Sequence, residues 1–183
     1  MSWLHTILVL GSAFLAVFWQ GAFGGVRHLV GAQIDLLPPL MVYASLCTGL
    51  TTVTLLAVLG GLWFDSLSAN PLGVTVLPLF AIGLAIHLKR ELILRDQTFA
   101  QLVVGLGASA AAPMLTLLML LTLGHPPLLG WGTLWQLFVL SAGGAVATPI
   151  CFELFGWLQR TLVHRGATET SFRPDREIRR GRV

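Results

Sequence analysis

Charge is what this sequence has least of. Of 183 residues, 10% are Asp, Glu, Lys or Arg, 55% are apolar, and mean hydropathy is +0.82. A soluble domain carries about 25% charged residues, so an ordinary water-facing surface is excluded and the chain reads as an integral membrane protein. Cysteine is nearly missing too. Cys47 and Cys151 fit neither a redox nor a metal-binding spacing and read as packing residues. The five histidines are scattered, with no Ser/His/Asp or Cys/His arrangement, no ligand cluster and no phosphate-binding glycine loop. The chain is therefore expected not to be an enzyme and to hold no metal or cofactor. Acids are rare enough that Asp65 is the only one between Asp35 and Glu91.

What remains is a series of apolar segments. Residues 3–23 run uncharged for 21 positions, enough to cross a hydrocarbon core about 30 Å thick. No Lys or Arg precedes this run, so a retained span is expected rather than a signal peptide. Ser12 and Ala16 put two small residues on one of its faces. Residues 24–35 form a short polar connection with Arg27, His28 and Asp35; His28 reads as a loop histidine before it reads as a ligand. Residues 36–67 are too many for one straight span and too few for two full ones. Pro38-Pro39 suits a helix start, and Cys47-Thr48-Gly49 is the place for a turn, which predicts two short helices. Short helices are tolerated in a membrane where protein or a water-filled cavity covers them.

Further segments are expected at residues 72–88, 98–123 and 132–158. The fifth is unusually small-faced, with Gly105, Gly107 and the run 108–112 ahead of Pro113. The sixth carries a second small run, 141–148, before Pro149. Both runs are expected to let helices approach closely. The prediction is an all-α bundle of about six transmembrane helices over residues 1–158, then a basic tail, 159–183; five spans remain the alternative around residues 36–67.

The net charge of +3 is unevenly placed. The tail holds seven arginines against three acids, and with the loop from Lys89 to Asp96 it carries ten of the eleven basic residues. With six spans these fall on one side, and the positive-inside rule makes both termini cytoplasmic. The tail lacks the aromatic interleaving and the fold of a nucleic-acid binder, so anionic lipid is its expected contact.

The chain is organised around Gly60-Gly61-Leu62-Trp63-Phe64-Asp65-Ser66-Leu67-Ser68-Ala69-Asn70-Pro71-Leu72-Gly73. An ionised carboxylate in hydrocarbon costs about 2.5–3.5 kcal/mol or more, so Asp65 needs a partner, water or a proton. Asn70-Pro71 ends one helix and begins another. Thr54, Ala57, Gly61, Asp65 and Ser68 recur at helical spacing, predicting one small and polar stripe that faces protein or a cavity. Asp65 reads either as a polar helix end at the membrane surface or as a functional carboxylate. On the second reading, Asp65→Ala is expected to spare abundance and lose function, whereas Gly61→Leu forces helices apart.

Two apolar segments, then a glycine-rich helix ending in Asp65, Ser68, Pro71 and Gly73 at Asp-x-x-Ser-x-x-Pro-x-Gly spacing, then a helix ending in Lys89-Arg90, resemble the bacterial rod shape-determining protein MreD family. The resemblance covers about residues 36–90; beyond it, segment number, size and basic loops agree. One departure is Cys47-Thr48-Gly49, where many members have basic residues. The resemblance implies a non-enzymatic component of the cell-elongation machinery, working with MreC, the MreB filament, and RodA with its class B penicillin-binding protein partner. It also implies a fold like that of the substrate-binding subunits of energy-coupling-factor transporters. The contact candidates are then Gly61, Asp65, Ser68, Asn70, Pro71 and Gly73. The same likeness supplies an alternative, a small-molecule-binding subunit of a membrane transporter with Trp63 and Trp19 as pocket walls. A lipid-handling enzyme is a third reading, disfavoured by the few polar residues inside the spans.

Overall fold

The structure is a computed structural model that describes residues 2–22, 34–68, 71–93, 97–124 and 130–167. The described residues are helical: α1 (Ser2–Ala22), α2 (Leu37–Cys47), α3 (Leu50–Leu67), α4 (Val76–Leu88), α5 (Thr98–Thr122) and α6 (Trp131–Ala167). Four helices contain stretches long and apolar enough to cross a membrane: His5–Ala22, Leu50–Leu67, Thr98–Thr122 and Trp131–Leu158. The other two are shorter, at 11 residues for α2 and 13 for α4. The chain thus has the multi-pass character its composition predicts. The 36–67 region is two helices, and it breaks where expected. Thr48 is extended, and its N–H donates back to the Ala44 carbonyl at 2.9 Å, closing α2.

Contacts divide the chain into two units, Met1–Cys151 and Phe152–Val183. The division falls within α6. Of the second unit, 152–167 are helical, so the helix continues past residue 158, where its amino-acid composition changes. His28, Asn70 and the basic tail beyond Ala167 lie outside the described residues.

Within the first unit α2 is the centre. Its ten residues from Leu37 to Leu46 are all buried, and α1, α3, α4 and α5 pack around it. Eleven residues span only about 16 Å, about half a bilayer core. Such a helix persists because protein rather than lipid surrounds it. Pro38 and Pro39 fit its start because a first-turn N–H has no helical acceptor to lose. Gly83 of α4 lets that helix close on α2 and α3: an added Cβ would lie 2.7 Å from Met41 Sδ and 2.8 Å from Val53 Cγ1. Side-chain bonds also cross between helices. Thr6 meets Thr52 at 2.8 Å, His5 meets the Tyr43 hydroxyl at 3.0 Å, and His87 Nδ1 lies 3.0 Å from the Ser45 carbonyl, to which it must donate. His87 thereby ties α4 to the end of α2. On α1 the buried face is Val9, Ala13 and Val17, about 100° round the helix from Ser12 and Ala16.

The helix α3 is not uniform. Residues Leu56–Gly60 wind as a π-helix between α-helical ends. The buried positions on this helix are Thr52, Val53, Leu56, Ala57, Gly60, Gly61 and Asp65, a spacing of four. At 3.6 residues per turn, Val53 and Asp65 would face about 120° apart. The wider i→i+5 turn takes back much of that rotation and keeps the whole row inward. It also corrects the predicted stripe: Thr54 is exposed, its hydroxyl spent on the Leu50 carbonyl at 3.0 Å, while Ala57, Gly61 and Asp65 are buried and Ser68 half-buried.

Candidate functional site

Asp65 ends α3 and is 1% exposed. Its carboxylate reaches across the turn that follows. One oxygen accepts the Gly73 N–H at 2.8 Å and the Thr75 N–H at 3.1 Å; the other accepts the Thr75 hydroxyl. Thr75 stands just before α4, so Asp65 staples the end of one helix to the start of the next. The rest of the motif builds that turn. The Val74 N–H donates to the Pro71 carbonyl at 3.4 Å, and Gly73 has φ +91°, a left-handed conformation that side-chain-bearing residues rarely adopt. Gly61, one turn before Asp65, is where α3 and α4 touch: a Cβ there would sit 2.9 Å from Val76 Cα. Gly61, Asp65 and Gly73 therefore belong to one structural unit, Pro71 is exposed, and Ser68 lies beside the cavity described below.

This geometry reverses one expectation. Asp65 is not a burdensome charge whose removal relieves the fold. Deleting it would leave the N–H of buried Thr75 and that of Gly73 unpaired, at a cost of about 1–3 kcal/mol for each buried donor. Both tryptophans expected as pocket walls also lie elsewhere. Trp63 packs edge-on against Phe14, ring centroids 5.1 Å apart, and Trp19 is 61% exposed.

Next to the staple is a cavity of about 640 Å³, bounded by the end of α3, the start of α4, the C-terminal half of α5 and the start of α6. Its lining is mainly apolar: Phe64, Leu79, Met114, Leu117, Leu120 and Leu137 are among it. Among the described residues its one ionisable side chain is Asp35, just ahead of α2. Asp35 Oδ1 accepts the Leu37 N–H at 2.9 Å, and the Gln20 amide also bonds it. Burial of the carboxyl outweighs both bonds and pushes its pKa up to about 6. Ser109 also lines the cavity, 2% exposed, and its hydroxyl has no hydrogen-bond partner. Asp35 was legible as a polar loop residue; nothing in the sequence joined it to Ser109, 74 positions later.

The small-residue runs of α5 and α6 meet reciprocally. A Cβ on Gly105 would strike Thr148, and one on Gly144 would strike Ser109. Each glycine thus receives the hydroxyl residue four positions from the other, antiparallel across the pair. Gly107, by contrast, has nothing within 4 Å of such an added atom. Cys47 and Cys151 are both half-buried. Among the described residues no three His, Cys, Asp or Glu side chains gather as a metal site.

Compared with family models, curated proteins and solved structures, the chain matches none.

Proposed function

We propose that this protein is a non-enzymatic scaffold of the bacterial cell-elongation machinery. It would form a bundle of about six transmembrane helices, with a fold like that of energy-coupling-factor substrate-binding subunits. Its partners are MreC, the MreB filament, and RodA with its class B penicillin-binding protein, which build peptidoglycan along the side wall. The observation that carries this reading is the Asp65 staple. The stretch on which the MreD resemblance rests is a closed turn, its carboxylate committed to Gly73 and Thr75. A group so used fixes the angle between two helices, a scaffold's requirement rather than a catalyst's. The exposed row Trp3, Ile7, Phe14 and Phe18 on α1 offers an apolar surface for a partner helix. In this reading both termini are cytoplasmic and the turn around Gly73 lies on the outer side, which the clustering of basic residues supports.

Affinity purification of the tagged protein from its native membrane tests the function. MreC and the RodA pair are expected to co-purify. Recovery of an ATPase transport module in their place would overturn the scaffold and establish the transporter subunit. Cysteines placed at Ser2, Gln97 and Gly181 test the orientation: an impermeant thiol reagent applied to intact cells should label none.

A further inference from the structure

The cavity beside the staple has the size and lining of a ligand site. Its volume of about 640 Å³ falls within the range of about 300–1,000 Å³ usual for small-molecule pockets. It is amphipathic. Asp35, Ser68 and Thr75 lie at helix ends on one side, and Thr133 and Gln136 open α6 nearby; from there Leu120, Leu117 and Met114 descend α5 towards Ser109, opposite Leu137 and Leu140. Thr75 is spent on Asp65, which leaves Asp35 as the charged group facing the space. Among the described residues, no Lys, Arg or His lines it. An anionic head against Asp35 would meet a like charge, whereas an ammonium would supply a counter-charge.

We propose that this cavity binds an amphiphile with an amine head and a hydrocarbon chain, the head against Asp35 and the chain along Phe64, Leu117 and Leu137. This goes beyond the scaffold reading and does not depend on it, since direct binding is measured without any partner protein.

The test uses the full chain in a non-ionic maltoside detergent at about pH 7.5, above the Asp35 pKa, so that carboxylate and amine are both charged. Equilibrium dialysis compares dodecylamine, dodecanol and dodecanoate. Saturable binding of one dodecylamine per chain is expected, with dodecanoate at least about tenfold weaker, because only the amine pairs with a carboxylate. Asp35→Asn should lower dodecylamine affinity by about tenfold while leaving dodecanol unchanged. Leu117→Trp, which fills the cavity, should abolish binding of both; retention of the wild-type elution profile on size exclusion is the check that this variant folds. Equal affinity for amine and carboxylate, an Asp35→Asn variant that binds the amine like wild type, or undiminished binding to folded Leu117→Trp would each overturn the proposal.

Discussion

Two carboxylates on one side of the molecule have opposite circumstances. Asp65 is surrounded by donors; Asp35 has two and is desolvated beyond what they offset. The difference is testable at each residue. Asp65→Ala should destabilise the protein by about 2–4 kcal/mol, as two backbone N–H groups lose their acceptor. Thr75→Val, which keeps those N–H bonds, should cost only about 1 kcal/mol. Thermal unfolding in detergent, alongside membrane abundance, measures both; an Asp65→Ala variant as stable as wild type would show that the staple adds nothing. Asp35 acts through pH. Its pKa in the folded chain lies above the ordinary 3.8, at about 6, so the folded state holds its proton more tightly. Its contribution is greatest below about pH 4 and is lost as pH rises through 6, a change of about 1–3 kcal/mol. The midpoint of thermal unfolding should therefore fall between pH 4.5 and about 7 in wild type, and Asp35→Asn should remove most of that fall.

At the scale of the elements, glycines next to one another in sequence have unrelated tasks. Gly105 faces Thr148 across the α5–α6 contact, whereas Gly107, two residues on, faces open space. Gly105→Leu should push the two helices apart and cost about 1–3 kcal/mol. Gly107→Leu should be neutral within about 0.5 kcal/mol or slightly stabilising, because it adds helix propensity without a clash. Comparing the two variants by thermal unfolding separates close packing from any general effect of replacing glycine. The π-helical stretch of α3 does related work. It keeps Ala57, Gly61 and Asp65 on a common inward row with Val53, and Thr54 turns outward as a result.

At the scale of the whole molecule, the short α2 is enclosed by other helices while the longer α1, α5 and α6 keep many large apolar side chains exposed. The tail adds a separate prediction. Seven arginines against three acids should draw it to anionic lipid at about 1 kcal/mol per residue near the surface, and salt should weaken that contact. Removing residues 173–183 should leave insertion and thermal stability unchanged, with binding to anionic vesicles reduced. Loss of the truncated protein from the membrane fraction would give the tail a structural role.

Composition and spacing alone determined the membrane class, the apolar segments to within a few residues, the break at Thr48-Gly49 and the need of Asp65 for partners. These follow from local chemistry: runs without charge, prolines that lack an N–H, and a carboxylate that must be satisfied wherever it lies. Only the tertiary structure decided which segment is enclosed, which glycines are contacts, and that the partners of Asp65 are Gly73 and Thr75 rather than a distant cation. The physical reason is that lipid and protein interior are both apolar. A residue packed against a helix and one packed against an acyl chain look alike in sequence, and no local pattern announces the extra residue per turn in α3 that turns Thr54 out and keeps Asp65 in.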